Sequence, residues 1–328
     1  MKTSINIETT NVCNARCITC PRPERQGYMT RDNLDVLMER LYESSDSITI
    51  PILSGFGETI LYPDFLSLMS KVRAVNHGLY RAGKKQLPFA TVTNGQALTP
   101  EKLSAIDETI ERLSISFASA DKEKYEKIHV GLDYDRVIKN IGLAIEKLKK
   151  TRLVLHLTPT IYTDEKDIES TVDYWRNRGV KEFVLFPMTS NRAGSLKEDC
   201  FRKPNPDANI ALARRLGIKH LESVFRPGIL DFAQILRRRL SEPSYCIPGI
   251  ASLSIDYNGN YRYCINDLNS THVIGNIRDL SIKDALERRI EMTSSPICAG
   301  CNINGHFSLK TLTRTWMNSL LTGKFKSG

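Results

Sequence analysis

The sequence predicts an α/β protein: an open, partial barrel of six strand–helix units with a smaller C-terminal domain. Three observations lead to this prediction. Strands alternate with helices to about residue 190, the pattern changes after Pro204, and the cysteines cluster in two separate regions. Alternation of this kind builds a parallel sheet, because each right-handed crossover needs a helix between two strands. Six units are too few for a closed eight-stranded barrel, and ligands of such sheets bind where the strands end.

Hydrophobic periodicity and turn residues place the elements of the barrel in order. The predicted strands cover 4–8, 48–53, 89–93, 113–117, 153–160 and 182–186. The predicted helices cover 32–41, 65–75, 122–128, 134–148 and 168–178, and another begins at Pro100 with Thr99 as its N-cap.

The C-terminal part has a different pattern. Helices are predicted over 209–216, 229–240, 282–292 and 309–321, and strands over 250–256 and 261–264. The turn sequence Asn258-Gly259 joins those two strands into a hairpin. We therefore expect a barrel domain over 1–240 and a smaller domain over 241–328.

Composition excludes several classes of protein. Hydrophobic residues make up 41% of the 328 residues and charged residues 25%, which excludes wholesale disorder. No run of eighteen uncharged apolar residues and no secretory signal are present, so we expect a cytoplasmic protein without a membrane span. The net charge of +9 is mild and no block of five basic residues occurs, so charge alone does not indicate nucleic-acid binding.

Cysteine carries most of the functional information. The eight cysteines divide into an N-terminal group of three, a C-terminal group of four and one isolated residue: Cys13, Cys17, Cys20; Cys246, Cys264, Cys298, Cys301; and Cys200. In a chain without an export signal, such groups are typical of metal ligands rather than of a disulfide framework.

The N-terminal group has the spacing C-x3-C-x2-C and directly follows the first predicted strand. Three thiolates do not complete a tetrahedral zinc site, nor do they bind all four irons of a cubane cluster. They can hold three irons of a [4Fe–4S] cluster and leave the fourth iron open. A zinc site completed by a distant residue, or a loop that is merely rich in cysteine, remains the alternative.

This spacing after a first strand resembles that of the radical S-adenosylmethionine (SAM) superfamily. The resemblance implies a partial (β/α)6 barrel whose cluster is bound by Cys13, Cys17 and Cys20. It also implies that the open iron chelates SAM, and that an electron from the cluster cleaves SAM to methionine and a 5′-deoxyadenosyl radical. The cofactor pair supplies this chemistry, while the protein positions and shields it.

Segments at the ends of later strands agree with the family in order and spacing. The segment 54–59 resembles the family's Gly-Gly-Glu-Pro segment, so Gly57 and Glu58 are implied to contact the methionine part of SAM. Polar residues at or after the ends of later strands are implied to line the same SAM site. These residues are Asn94, Ser116, Ser119 (as a reserve for Ser116) and Arg192.

The chain departs from the family pattern at three places. Thr19 stands where the family usually has an aromatic residue, and Thr59 replaces the proline of the Gly-Gly-Glu-Pro segment. In the helix after the fourth strand, where relatives often have an arginine, this chain has His129 nearby. His129 is a candidate partner for the carboxylate of SAM; an exposed histidine at a helix end is the alternative.

The C-terminal group has the pattern Cys246-x12-Gly259-x4-Cys264 followed by Cys298-x2-Cys301. Four thiolates suit either a structural zinc or a complete [4Fe–4S] cluster. The pattern resembles the SPASM/Twitch extension of radical SAM enzymes, which implies an auxiliary [4Fe–4S] cluster. No cysteine follows Cys301, so only one auxiliary cluster fits, as in the shorter Twitch form found in the butirosin-pathway dehydrogenase.

The family implies abstraction of a hydrogen atom from carbon, and two outcomes follow from that step. In a dehydrogenase, the auxiliary cluster accepts an electron from the substrate radical; in an epimerase, a thiol such as Cys200 returns hydrogen to the opposite face. Cys200 is predicted to lie in the loop after the sixth strand, where a chance loop cysteine is the alternative reading.

The first strand begins by residue 4, which leaves no room before it for a peptide-recognition domain. We therefore expect a small hydroxylated metabolite, such as a sugar or aminocyclitol, in preference to a peptide. A flavodoxin- or ferredoxin-type protein is the expected electron donor. A peptide-modifying enzyme is the main alternative, and a tRNA-modifying enzyme or a zinc-binding interaction protein are distant ones.

Overall fold

The computed structural model describes residues 3–186, 206–220 and 252–292, with short pieces at 195–196, 236–237, 240, 295–298, 301 and 313. Strands and helices alternate along these residues, which confirms the predicted α/β class. The helices predicted over 229–240 and 309–321 lie largely outside the described residues.

Seven strands of the described chain lie side by side in sequence order and are parallel to one another. They are β1 (Thr3–Ile7), β2 (Ile48–Leu53), β3 (Ala90–Thr93), β4 (Arg112–Ser116), β5 (Arg152–Leu157), β6 (Glu182–Leu185) and β7 (Lys219–His220). Each is hydrogen-bonded in parallel to the next, so their carboxyl ends lie along one edge of the sheet. Among the described residues, Cys13, Glu58 and Asn94 follow these strand ends, and Ser116 ends β4.

A helix follows each of the first three strands, two follow β4, and one follows each of β5 and β6 in the described chain. They are α1 (Arg31–Glu43), α2 (Phe65–Arg81), α3 (Pro100–Asp107), α4 (Lys122–Ile128), α5 (Tyr134–Lys147), α6 (Glu165–Arg176) and α7 (Pro206–Arg215). The predicted cap of α3 is confirmed: the Thr99 hydroxyl accepts the Lys102 N–H at 3.2 Å, with Pro100 in the first turn.

Three more strands extend the sheet beyond β1. They are β8 (Ser252–Ile255), β9 (Asn260–Arg262) and β10 (Val273–Asn276), followed by α8 (Ile282–Glu291). β8 is parallel to β1, whereas β9 is antiparallel to both β8 and β10. The predicted hairpin is therefore confirmed, and Gly259 takes the positive φ of 83° that its turn requires.

Two described strands were not expected from the sequence. β7 has only two residues, too few to show a period, and β10 contains Gly275. The predicted domain boundary near 240 stays a prediction, although β8 shares its sheet with the barrel strands.

The core lies between the sheet and the surrounding helices. Phe117 and Trp175 meet edge to face with ring centroids 5.3 Å apart, and both side chains are buried. Within the described residues, every helix is too short or too polar to cross a bilayer.

Candidate functional site

The three N-terminal cysteines lie on a loop that begins at the carboxyl end of β1. Its base is closed by Asn11, whose amide donates to the Arg25 carbonyl and accepts the Gly27 N–H, both at 2.8 Å. A backbone bridge between Thr10 and Tyr28 completes the closure. The loop is therefore tied at both ends to one point above β1.

The far side of the cysteine loop is held by the connection between α4 and α5. Arg16 donates its N–H to the Val130 carbonyl at 2.7 Å, and Ile18 donates to the Ile128 carbonyl at 3.0 Å. Gly131, with φ of 91°, lets this connection pass close to the backbone of the cysteine loop.

The three thiols lie close enough to influence one another. Burial, together with the neighbouring Cys20 and Cys13, raises the pKa of the Cys17 thiol to about 12. A cationic iron–sulfur core at this point removes that repulsion, because metal charge favours thiolates. Within the described ranges, no three histidine, cysteine or acidic side chains are arranged to hold one metal ion. In a cluster, by contrast, each thiolate binds its own iron.

The loop after β2 packs directly against the start of the cysteine loop. A Cβ built on Gly57 would lie 2.6 Å from Asn11 Cα and still closer to the Thr10 carbonyl oxygen. Only glycine fits there, so the close approach requires Gly57. The next residue, Glu58, donates its N–H to the Val12 carbonyl at 2.9 Å.

The Glu58 carboxylate is buried and fully occupied by the protein itself. Its two oxygens accept the N–H groups of Ile60 at 3.1 Å and of Asn94 at 2.7 Å. Burial raises the pKa of Glu58, while these N–H groups oppose that rise. Its side chain therefore links the loop after β2 to the end of β3, and its predicted contact with SAM stays a prediction.

Asn94, which directly follows β3, contacts the cysteine loop. Its amide nitrogen donates to Asn14 Oδ1 at 2.8 Å and lies 3.8 Å from the Cys13 sulfur. Asn14 was not predicted from the sequence, because its contact with Asn94 depends on two loops that meet only in the folded chain.

The next two predicted residues follow the same edge of the sheet. Ser116 ends β4, is partly exposed, and pairs in register with His156 of β5. Ser119 is buried, and its hydroxyl accepts the Asp121 N–H at 3.1 Å. Ser116 is thus available to a ligand at this edge, whereas Ser119 already stabilises the turn before α4.

His129 lies against the cysteine loop rather than on the surface. It is only 6% exposed, which shows that the exposed alternative was wrong. Its Nδ1 lies 3.3 Å from the Cys17 sulfur, and burial lowers its pKa to about 4. The His129 ring therefore contacts the Cys17 sulfur, and its burial favours the neutral imidazole.

The residues match one protein family over most of this region. A model of the radical SAM superfamily matches residues 7–186, which is more than half of the 328 residues. The chain belongs to the radical SAM superfamily. The resemblance drawn from the cysteine spacing is therefore confirmed.

One curated relative is a GTP 3′,8-cyclase of Aliarcobacter butzleri, 24% identical over 188 residues. The match covers 56% of this chain and 54% of the cyclase, so the chain spans about half the length of this relative. What the whole cyclase does is therefore not carried over.

Solved structures of radical SAM enzymes share the fold. SuiB of Streptococcus suis bound to the precursor peptide SuiA has a TM-score of 0.63 at 15% identity, covering 92% of this chain and 66% of SuiB. BtrN with AdoMet and 2-DOIA has a TM-score of 0.52 at 17% identity, covering 92% and 93% of the two chains. anSMEcpe with AdoMet has a TM-score of 0.64 at 13% identity and covers 98% of each chain. At these identities, the similarities show a shared fold.

The three thiols fit the cluster of the family. Cys13, Cys17 and Cys20 would hold three of its irons, which leaves one iron for SAM. Gly57, Asn94 and Ser116 lie on the edge that would face that cofactor.

The C-terminal cysteines are only partly described. Cys264 follows β9. The Cys301 N–H donates to the Cys298 carbonyl at 3.1 Å, so Cys298 and Cys301 share one turn. Arg192, Cys200 and Cys246 lie outside the described residues, and their roles stay predictions.

Proposed function

We propose that this radical SAM protein removes a hydrogen atom from a carbon of a small hydroxylated metabolite, such as a sugar or aminocyclitol. Dehydrogenation or epimerisation would follow. The observation that carries the proposal is the cysteine loop at the carboxyl end of β1, braced by the loop after β2 and by the α4–α5 connection. When bound there, the cluster and SAM supply the one-electron chemistry that attacks unactivated carbon.

The chain's own residues bind and orient SAM. Gly57 lets the loop after β2 pack against the start of the cysteine loop, and Asn94 is fixed beside Cys13 by the Glu58 carboxylate. Ser116 offers a partly exposed hydroxyl on the same edge. A preformed edge of this kind lowers the entropy cost of holding SAM near the reacting carbon.

An auxiliary [4Fe–4S] cluster on Cys246, Cys264, Cys298 and Cys301 is the second part of the proposal. The turn that joins Cys298 and Cys301 supports it, because two ligands on one turn are typical of iron–sulfur and zinc sites. With four thiolates the cluster has no open iron, so its role would be to accept or relay an electron. A flavodoxin- or ferredoxin-type protein would supply the first electron.

The match in length with BtrN supports a small substrate. The chain and BtrN cover each other almost completely, and BtrN is seen with 2-DOIA. A peptide substrate is the second candidate, since anSMEcpe with the Cp18Cys peptide covers 98% of each chain at a TM-score of 0.65.

The first experiment measures iron, sulfide and zinc in anaerobically reconstituted protein, together with dithionite-dependent cleavage of SAM. A variant combining Cys13→Ala, Cys17→Ala and Cys20→Ala is the matched control. We expect about eight irons in the wild type and about four in the variant, with 5′-deoxyadenosine formed only by the wild type. Zinc without iron, or no SAM cleavage by the wild type, would refute the proposal.

A second experiment separates the two substrate classes. 2-DOIA and the Cp18Cys peptide are each added to the reduced enzyme with SAM, and formation of 5′-deoxyadenosine is followed over time. Stimulation by 2-DOIA, with a ketone or an epimer as product, supports the small-metabolite proposal. Stimulation by the peptide alone would instead support the second candidate.

A further inference from the structure

The contact between His129 and Cys17 joins a buried imidazole to a predicted cluster ligand. Nδ1 of His129 lies 3.3 Å from the Cys17 sulfur, within the range for a hydrogen bond to sulfur. A thiolate bound to iron has no proton to give, so the imidazole must be the donor. This fixes the tautomer: the proton sits on Nδ1, and Nε2 carries the lone pair.

The other ring nitrogen agrees with this tautomer. Nε2 of His129 is buried and has no hydrogen-bond partner among the described residues. A buried nitrogen lone pair without a hydrogen bond destabilises the protein less than a buried N–H without one. With the single proton on Nδ1, the group of His129 left unpaired is therefore the lone pair of Nε2. Nδ1–H is then the group that the fold pairs with sulfur.

The position of the imidazole is set by the backbone on both sides of it. Ile128 and Val130, the neighbours of His129, accept the N–H groups of Ile18 and Arg16, the neighbours of Cys17. The two segments are therefore in register, and the side chains of Cys17 and His129 face each other. The Tyr125 ring packs on the imidazole with centroids 4.6 Å apart.

We infer that His129 donates its Nδ1–H to the Cys17 sulfur and thereby raises the reduction potential of the N-terminal cluster. The inference rests on the proposed function, because it needs a cluster on Cys17. Reduction adds negative charge to the cluster and its sulfurs, and a donor aimed at sulfur stabilises that charge. His129 is buried, which excludes water from the donor and strengthens the effect. His129 is then a positioning and tuning residue that acts through Cys17.

The test is a potentiometric titration of the reconstituted full chain, followed by EPR of the reduced clusters. The signal that changes when SAM is added identifies the cluster with the open iron. His129→Phe keeps a ring against Tyr125 but has no donor, whereas His129→Asn keeps an amide donor near the place of Nδ1. Tyr125→Phe is the packing control, since the Tyr125 hydroxyl is buried and has no hydrogen-bond partner in the part of the chain that the structure describes.

We expect His129→Phe to make reduction about tenfold less favourable, which is a fall of about 59 mV in a one-electron potential. His129→Asn should recover most of this fall, and Tyr125→Phe should leave the potential unchanged. Equal potentials in wild type and His129→Phe, with iron content intact, would refute the inference and leave the proposed function standing. Absence of iron from the wild type would instead refute the proposed function.

A measurement on the wild type keeps the test independent of how the variants fold. The protein is labelled with ¹⁵N-histidine only, and pulsed EPR of the SAM-sensitive cluster is compared with that of unlabelled protein. A histidine nitrogen coupled to this cluster supports the inference. If labelling leaves the spectrum unchanged, the hydrogen bond is absent and the inference is wrong.

Discussion

The Arg262 guanidinium lies 3.5 Å from the Glu8 carboxylate, and both side chains are almost completely buried, at 1% and 2% exposure. Glu8 follows β1 on the way to Cys13, and Arg262 ends β9 just before Cys264. Glu8 also accepts the Phe56 N–H at 2.7 Å, and Arg262 donates to the Ser254 hydroxyl at 3.0 Å. The ion pair therefore joins the two segments that lead into the two cysteine groups.

Removing one member of this pair leaves the other as an uncompensated buried charge. We expect Arg262→Met to lower the free energy of unfolding by about 3–5 kcal/mol, measured by urea denaturation. Lys122→Met, which breaks an exposed pair with Asp135, is the control and should cost at most about 1 kcal/mol. Adding Glu8→Gln to Arg262→Met should recover part of the loss. Equal costs for Arg262→Met and Lys122→Met would contradict this role of the pair.

Two glycines offer a matched comparison of tight and open positions. Gly57→Ala places a Cβ against the backbone of Thr10 and Asn11, so we expect a loss of about 1–3 kcal/mol in stability and a lower iron content after reconstitution. Gly142→Ala, in α5 with nothing within 4 Å of its Cβ, should stabilise the protein by about 0.5–1 kcal/mol. Thermal unfolding and iron analysis of both variants check this. If Gly57→Ala bound iron normally, the close packing would not matter for the site.

The Glu58 carboxylate is predicted to hold the loop after β2 against the end of β3. Glu58→Gln keeps one acceptor oxygen and replaces the other with an amide group, which cannot accept an N–H from Ile60 or Asn94. We expect a loss of about 1–3 kcal/mol in the free energy of unfolding and weaker binding of SAM by the reconstituted protein. Urea denaturation and equilibrium binding measure the two effects.

The control for this change is Glu43→Gln, which affects an exposed ion pair with Arg40. It should change stability by less than about 1 kcal/mol and leave SAM binding unaltered. Unchanged SAM binding in Glu58→Gln would show that Asn94 does not need the carboxylate to hold its position.

Stability should depend on pH through His156. Burial, together with the Arg112 charge, lowers the pKa of His156 to about 3 from its ordinary 6.5. Between these values the unfolded chain binds a proton that the folded chain excludes, so this contribution to stability is present above about pH 6.5 and is lost as the pH falls.

Replacing the group tests the sign. In His156→Gln the free energy of unfolding should fall less steeply below pH 6.5, by up to about 1.4 kcal/mol per pH unit. Urea unfolding of both proteins in steps from pH 7 to pH 4 gives the two slopes. Parallel slopes would mean that His156 is protonated in the folded protein over this range.

Much of the barrel could be predicted because its signals are local. The bounds of β2 and α4 agree with the periodicity, and Thr99 with Pro100 marks the start of α3 by capping chemistry that needs no distant partner. The short strand β7 gave no such signal, since two residues show no period and its pairing with β6 comes only from the folded sheet.

The site divides in the same way. Cys13, Cys17 and Cys20 lie within eight consecutive residues, so their spacing alone could indicate a cluster. The contact of His129 with Cys17 joins residues separated by 112 positions and depends on the register between two loops. That register cannot be predicted from a single sequence. The ion pair between Glu8 and Arg262 could not be predicted for the same reason.

β1 lies between β2 and β8 in the sheet, and this order has a consequence for biosynthesis. The partner on one side, β2, is made soon after β1, but β8 emerges only when most of the chain has been translated. At about 5–20 residues per second, one edge of β1 stays open for tens of seconds, and an open edge invites pairing with other chains. The N-terminal cysteines therefore follow a strand whose second neighbour in the sheet is made only late in translation.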